Sequence, residues 1–297
     1  MEHFKSGFIA VMGRPNAGKS TLVNAILGQK VAAVSPRPQT TRKRQLGILT
    51  TPQAQIIFID TPGVNRVHHK LGEAMNQQAR EALQDCDVIL FVVDAIDPPS
   101  DEDRLLAKWI ALLERQSATL MAVNKIDAIS TNTLIERLAQ FQSILPQAEV
   151  MPVSAIRGDQ RQELVNHLIE RLPEGPMYYP EEQVTDLYER EIAADLIREA
   201  ALILLKDEVP HGVAIRIDEY KDRSEETAYI AATLFVERES HKGIVIGQNG
   251  NMLKKIGTAA RKEIEALTGR KIYLELRVKV KKSWRDDEEA LKSFGFS

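Results

Sequence analysis

Cysteine is almost missing from this 297-residue chain: Cys86 is the only one. No intramolecular disulfide can form, so a reducing compartment is the expected setting. Cys86 lies between Asp85 and Asp87 with no base or metal-ligand spacing around it, which reads as a small structural residue. No apolar run approaches the roughly 18 residues of a transmembrane helix. The opening residues Met1 to Ser6 lack a signal-peptide pattern. A soluble, cytoplasmic protein is therefore expected. The composition, 43% hydrophobic and 27% charged, excludes a disordered or fibrous chain, and the length suits about two domains.

No strong charge of either sign dominates, since the formal total is −3. That total hides an asymmetry. Residues 241–282 hold eleven Lys/Arg against three Glu, a local +8 that leaves −11 for the remainder. A basic patch on an acidic chain points to a polyanionic partner bound at one end.

What the sequence does have begins with Gly13-Arg14-Pro15-Asn16-Ala17-Gly18-Lys19-Ser20, which fits the phosphate-binding pattern G-x-x-x-x-G-K-[ST]. Two glycines let the backbone curl so that its N–H groups face a polyphosphate. Lys19 then reaches the β- and γ-phosphate oxygens, and the Ser20 hydroxyl ligates the bridging Mg²⁺. An apolar run at 8–12 gives a strand before the loop, and 20–27, starting Ser20-Thr21, gives a helix whose N-terminus favours negative charge.

A polar, proline-broken stretch at 34–44 reads as a loop, followed by a strand pair at 45–49 and 55–59 that ends in Asp60-Thr61-Pro62-Gly63. Helical spacing at 72–83, 101–113, 132–145 and 161–172 alternates with strand-like runs at 88–93, 119–123 and 149–153. This alternation predicts an α/β domain with a mostly parallel sheet covered on both faces and one antiparallel edge. The run at 119–123 delivers Asn124-Lys125-Ile126-Asp127, and the one at 149–153 delivers Ser154-Ala155.

Across 7–172 the chain resembles the translation-factor-like GTPases, with all five of their boxes in order. The resemblance implies that GTP and GDP bind to Gly13, Asn16, Ala17, Gly18, Lys19, Ser20 and Thr21, with Asn124, Lys125, Asp127, Ser154 and Ala155 around the guanine. Asp127 accepts from the base N1–H and N2–H₂, Asn124 braces the phosphate loop, the Lys125 stem covers the base, and the Ala155 N–H meets O6. Thr41, with Thr40 the alternative, resembles the switch threonine. Ser20, Thr41 and Asp60 are the expected Mg²⁺ residues, and the Gly63 N–H is expected at the γ-phosphate. Lys19, Thr41, Asp60 and Gly63 form the expected catalytic set. Where many GTPases carry a water-orienting glutamine, this chain has Val64, so slow intrinsic turnover is expected. Asn16 resembles the asparagine with which some related GTPases bind K⁺ beside the phosphates.

Three prolines and a glycine in 172–180 mark a domain boundary, giving a nucleotide domain at 1–174, a linker at 175–184 and a second domain at 185–297. Beyond it come a long amphipathic helix over 188–205, two half-buried strands through 213–217 and 230–236, then Gly247-Gln248-Asn249-Gly250, a helix over 251–267 and a strand over 271–281. A Gly-x-x-Gly turn between helices admits a nucleic-acid backbone closely. This order resembles an α+β type II KH domain. RNA contact is expected at Gly247, Gln248, Asn249 and Gly250. The variable pair carries no cation, so Lys242, Lys254, Lys255 and Lys262 supply the phosphate attraction. Glu237, Arg238 and Glu239 read as a mixed-charge rim, 286–289 after Trp284 as an acidic tail, and His68 with His69 as surface residues lacking a third ligand.

Both halves together, including Gln39-Thr40-Thr41-Arg42, resemble the Era-type ribosome-assembly GTPases. That resemblance implies binding of the 3′ end of 16S rRNA by the KH domain, a role in 30S subunit maturation and peripheral contact with the cytoplasmic face of the membrane. A monomer is expected. Rival readings are an RNA-binding protein whose nucleotide only stabilises it, a P-loop kinase, and a membrane-associated or cell-cycle signalling GTPase with another RNA target.

Overall fold

The protein is described from a computed structural model over residues 4–35, 37, 40–64, 69–113 and 117–296. Gln39 and His68, singled out above, lie outside those residues. Contacts divide the chain into two compact units, with the change at Asp186/Leu187. The described parts of 33–40 and 67–74 cluster with the second unit.

The first unit runs β1 (Lys5–Met12), α1 (Lys19–Leu27), β2 (Gln45–Thr50), β3 (Ala54–Asp60), α2 (Lys70–Asp85), β4 (Val88–Asp94), α3 (Asp101–Ala111), β5 (Ala118–Asn124), α4 (Thr131–Ile144), β6 (Glu149–Pro152) and α5 (Arg161–Arg171). Its sheet has the order β2-β3-β1-β4-β5-β6, parallel except for β2 against β3. Every residue of β3 and of β4 is buried, because helices cover both faces and no alternation of polar residues is needed. One apolar layer gathers Met12, Ile57, Phe91 and Met121 with Phe141, and the other gathers Val11, Phe58, Leu90 and Leu120 with Leu22 and Leu164. The phosphate loop, Asp60–Gly63, Asp94, Asn124–Asp127 and Ser154-Ala155 therefore all emerge at the carboxyl ends of β1, β3, β4, β5 and β6, where open α/β sheets bind ligands.

Residues expected as a linker are tied down onto this unit. Gln55, fully buried, accepts from the N–H groups of Tyr178 and Tyr179 and donates to Tyr179 O at 2.8 Å. The rings of Phe8 and Tyr178 meet at 5.4 Å. Further along, Ile48 N–H donates to Val184 O at 2.9 Å and Leu46 N–H to Asp186 Oδ1 at 3.1 Å. The strap satisfies the outward N–H groups of β2, an edge strand that would otherwise present them bare.

The second unit comprises α6 (Glu189–Leu204), β7 (Ala214–Ser224), β8 (Thr227–Val236), α7 (Glu239–Ile246), α8 (Asn251–Thr268), β9 (Lys271–Val280) and α9 (Glu288–Ser293). Its sheet has the order β7-β8-β9, antiparallel then parallel. Ile192, Leu196 and Ile197 of α6 and Ile256, Ala260 and Ile264 of α8 cover one face.

Three expectations need correction here. The middle strand is not half-buried: Thr233 and Phe235 on its second face are buried as well. The cause is the C-terminal stretch, which is a packed helix and not a loose acidic tail. Phe294 meets Phe235 at 5.0 Å and Trp284 at 5.4 Å, edge-on. Asp287 caps α9 by accepting from Ala290 N at 3.1 Å. Glu237, read as rim, accepts instead from Arg285 at 2.5 Å. His69 likewise has a local function, its Nδ1 accepting from Gly72 N at 3.0 Å in the first turn of α2.

Trp284 is fully buried and donates its indole N–H to Gly212 O at 2.8 Å. Trp284→Ala should cost about 3 kcal/mol through the cavity and the orphaned carbonyl. Urea unfolding of the second unit's transition measures it. A cost below about 0.5 kcal/mol would mean that the C-terminal stretch contributes nothing to the fold.

Candidate functional site

The chain leaves β1 at Met12 and turns through Gly13, where a Cβ would come within 2.3 Å of Val92 O. It enters α1 through Gly18 at φ +97°, with Asn124 Nδ2 only 2.3 Å from where a Cβ would be. No side chain fits at either position. Lys19 is buried, and its ammonium spans the loop to Gly13 O and Arg14 O, both at 3.0 Å. Burial pushes its pKa down to about 8 against the raising field of Asp60. The ammonium thus ties two carbonyls of the loop together from within.

Three residues expected at Mg²⁺ come together from three separate segments. Ser20 Oγ donates to Asp60 Oδ2 at 2.6 Å and lies 2.9 Å from Thr41 Oγ1, and Thr41 Oγ1 is 3.5 Å from the same carboxylate. Asp60 is 1% exposed and its Oδ1 has no hydrogen-bond partner. Burial drives its carboxyl pKa up, with Lys19 opposing. Two hydroxyls and one underpaired carboxylate are hard oxygen donors suited to Mg²⁺ and poor for Zn²⁺. Among the described residues no group of His, Cys, Asp and Glu forms an alternative metal cluster. These residues fit a Mg²⁺ ion.

Gly63 passes so close to the phosphate loop that a Cβ would meet Pro15 N at 2.7 Å. The neighbouring Val64 is 1% exposed and joins the apolar core. Its side chain is buried and apolar, and offers no group that could orient water.

On the other flank, Asn124 is 1% exposed and donates to Ala17 O of the phosphate loop at 3.0 Å. Its Oδ1 accepts the Ala155 N–H at 3.0 Å. That bond differs from the expectation: the N–H assigned to a base O6 is given to the frame, and must be shared or exchanged for a base to use it. Ser154 donates to Asp127 Oδ1 at 2.5 Å, which orients this exposed carboxylate. Lys125 adopts φ +68°, and its ammonium pairs with Asp94 at 2.7 Å.

Asp94 and Arg14 were not singled out by pattern. Asp94, 5% exposed at the end of β4, holds Lys125 and lies 3.5 Å from the Arg14 guanidinium. Arg14 also stands 3.6 Å from Asp103, the residue that closes the capping box with Ser100 at the start of α3. The cluster ties the phosphate loop to the base-side lysine. Only the acid ending the β4 run hinted at it.

In the second unit, Gln248–Gly250 form a single tight turn between α7 and α8. Gly247 has φ +71°, and a Cβ there would meet Met252 Cβ at 2.7 Å. Gln248 and Asn249 are exposed, as are Lys254, Lys255 and Lys262 along α8, while Lys242 is half-buried. Beside the turn, a groove of about 450 Å³ is lined by Gly250, Lys254, Gly257 and Arg261 over Leu253, Leu274 and Leu276. The structure therefore gathers the glycine turn, Lys254 and Arg261 around an apolar floor, while Lys242, Lys255 and Lys262 do not line that groove.

Comparison with known proteins matches the family described as 50S ribosome-binding GTPase over residues 8–125 and the KH domain over 208–285. The chain is 48% identical to GTPase Era of Carboxydothermus hydrogenoformans over 295 residues, 99% of this chain and 98% of that one. It is 46% identical to GTPase Era of Halothermothrix orenii, again covering 99% of each. Among solved structures it resembles Era in complex with MgGDPNP and nucleotides 1506–1542 of 16S ribosomal RNA, with a TM-score of 0.94 and 39% identity over 99% of this chain and 100% of that one. A variant of Aquifex aeolicus Era bound to GDP·AlF₄⁻ matches with the same TM-score, 38% identity and the same coverage. No described helix is long and apolar enough to cross a membrane.

Proposed function

Because this chain belongs to the Era family of GTPases, we propose that it couples its GTP cycle to the capture of the 3′ end of 16S rRNA, and acts in this way in 30S subunit maturation. The observation that carries the nucleotide half is the meeting of Ser20, Thr41 and Asp60 below the phosphate loop. For the RNA half it is the Gly247–Gly250 turn beside the basic groove, together with the rRNA segment bound by a structural neighbour that is 39% identical.

GTP hydrolysis is the activity of the family, and we assign its residues these roles. Gly13, Asn16, Ala17, Gly18 and Thr21 shape the phosphate cradle, Lys19 moves from the loop carbonyls to the β- and γ-phosphates, and Asn124, Lys125, Asp127, Ser154 and Ala155 take the guanine. Mg²⁺ held through Ser20, Thr41 and Asp60 would neutralise charge on the β- and γ-oxygens. Thr41 and Gly63 give N–H groups to the γ-phosphate and lose that partner on hydrolysis. Val64 orients no water, so the water is placed by backbone groups, another residue or a partner, and intrinsic turnover is slow. The division proposed is a nucleotide domain at 1–174, a linker at 175–184 and an RNA domain at 185–297, in which Lys242, Gln248, Asn249, Lys254, Lys255 and Lys262 face the phosphates.

Coupling requires reciprocity: RNA tightens GTP binding by the factor by which GTP tightens RNA binding. Cross-linking of the protein to total cellular RNA in a non-hydrolysable GTP analogue and in GDP tests both halves. Capture of the 16S 3′ end through 242–262 only with the analogue supports the reading. Equal capture in both states discards the coupling, and no capture discards the RNA partner.

A K⁺ ion beside the phosphates is proposed from Asn16, which stands at φ +64° at the exposed tip of the loop. Hydrolysis should be about tenfold faster in K⁺ than in Na⁺ buffer at equal ionic strength, the cation substituting for part of an arginine finger. Equal rates remove the ion. Peripheral membrane contact, a cytoplasmic location and a monomeric state complete the proposal; vesicle flotation and sedimentation of the purified chain check the first and the last.

A further inference from the structure

Next to the groove beside Gly250 lies a second cavity, of about 530 Å³, lined by Tyr229, Arg261, Glu265, Lys271, Tyr273 and Glu275, with Ile272 and Leu274 beneath. The two cavities share Arg261 and Leu274, so they form one track that runs from the Gly-x-x-Gly turn along α8 and over β9. Each is large enough for a nucleotide-sized ligand. Their chemistry differs: the first offers glycine backbone and lysine, the second offers aromatic rings.

Tyr229 and Tyr273 are register partners on β8 and β9. Tyr273 is 56% exposed, so part of its ring is open to solvent. The Arg223 guanidinium lies 4.9 Å from the Tyr229 ring centre and 5.2 Å from that of Tyr273, so one cation bridges both rings. The two acids of the cavity already serve the chain's own donors. Glu265 accepts from Ile272 N at 3.0 Å, and Glu275 accepts from the Tyr229 hydroxyl at 2.6 Å and from the Arg277 guanidinium. By contrast Arg261 and Lys271 show no ion pair among the described residues. Paired acids, uncommitted cations and an exposed ring make a surface that takes up phosphate and a base face together.

We propose that this platform is a second RNA subsite, in which a base of the single strand leaving the Gly247–Gly250 groove stacks on Tyr273 while Arg261 and Lys271 hold the adjoining phosphate. The inference rests on the RNA reading given above. It adds length to the footprint and a sequence-tolerant contact, because every base has a π-face.

Nested single-stranded oligonucleotides cut from nucleotides 1506–1542 of 16S rRNA, extended stepwise in either direction from a four-nucleotide core, test it by fluorescence anisotropy with the GTP analogue bound. Wild-type protein should gain about tenfold in affinity when the strand grows past the core on one side. Tyr273→Ala should lose that gain and bind the core normally; Tyr273→Phe should keep it, since the ring alone stacks. A 2-aminopurine placed at the gaining position should be quenched by wild type and by Tyr273→Phe, and not by Tyr273→Ala. The exposure of Tyr273 makes folding of the variants safe, and circular dichroism checks it. Long strands bound equally by wild type and Tyr273→Ala, or no gain with length in wild type, overturn the subsite and leave the groove standing. If wild-type protein binds no oligonucleotide at all, the RNA reading itself fails and the subsite with it.

Discussion

Asp127→Asn should exchange the preferred base, shifting the ratio of GTP to XTP affinity by about 10⁴. A carboxylate accepts from both the N1–H and the N2–H₂ of guanine. An amide accepts one and presents its own N–H₂ to the other, and xanthine, with a carbonyl at C2, is the base that welcomes that donor. The geometry makes the swap selective. Asp127 is exposed at the start of the turn after β5, held by a single hydroxyl from Ser154 at 2.5 Å, and an Asn keeps that bond with its carbonyl oxygen. Asn124, which supports the phosphate loop, is untouched. Affinities of fluorescent GTP and XTP analogues give the ratio. A parallel loss of both nucleotides would mean that Asp127 is structural and reads no base.

The second large effect is expected from Asp60→Asn, which should slow hydrolysis by about 10³-fold at saturating GTP. The amide oxygen can still accept the Ser20 hydroxyl, now donated at 2.6 Å, and the side-chain volume hardly changes. What is lost is the charge that makes two hydroxyls and a carboxylate attractive to a divalent cation. Affinity for GDP measured in EDTA should therefore stay near that of wild type, while the Mg²⁺ concentration needed for turnover rises steeply. An unchanged Mg²⁺ requirement would place the metal elsewhere.

Much of the first unit was readable because its strands are buried on both faces and so appear as unbroken apolar runs, as at 88–93. Four of the five boxes were readable for a related reason: each follows such a run and needs a particular side chain at a strand end. What escaped was tertiary. Asp94, Arg14 and Asp103 are charged residues of ordinary appearance that meet only after α3 and the phosphate loop have been folded together. Ala155 was read by the position of its N–H, and sequence says nothing about which acceptor takes it. The C-terminal helix was missed because six residues, Glu288–Ser293, carry too little periodicity to register. An Asp at 287 placed to cap, with aromatic residues at 284, 294 and 296, was the signal available. The second face of β8 then followed, since alternation is unnecessary once both sides are covered.

The strap at 176–186 bears on how this protein can be divided. A nucleotide-binding fragment cut at the end of α5 would strip Val184 O and Asp186 from the outer side of β2, leaving the N–H groups of Ile48 and Leu46 as ready templates for a strand of another molecule. Gln55 would at the same time lose three partners inside the core. Such a fragment should self-associate and precipitate, whereas one carried through Asp186 should stay monodisperse. Proteolytic nicking within the strap would have the same result in the whole chain, so this short polar segment guards the molecule against aggregation.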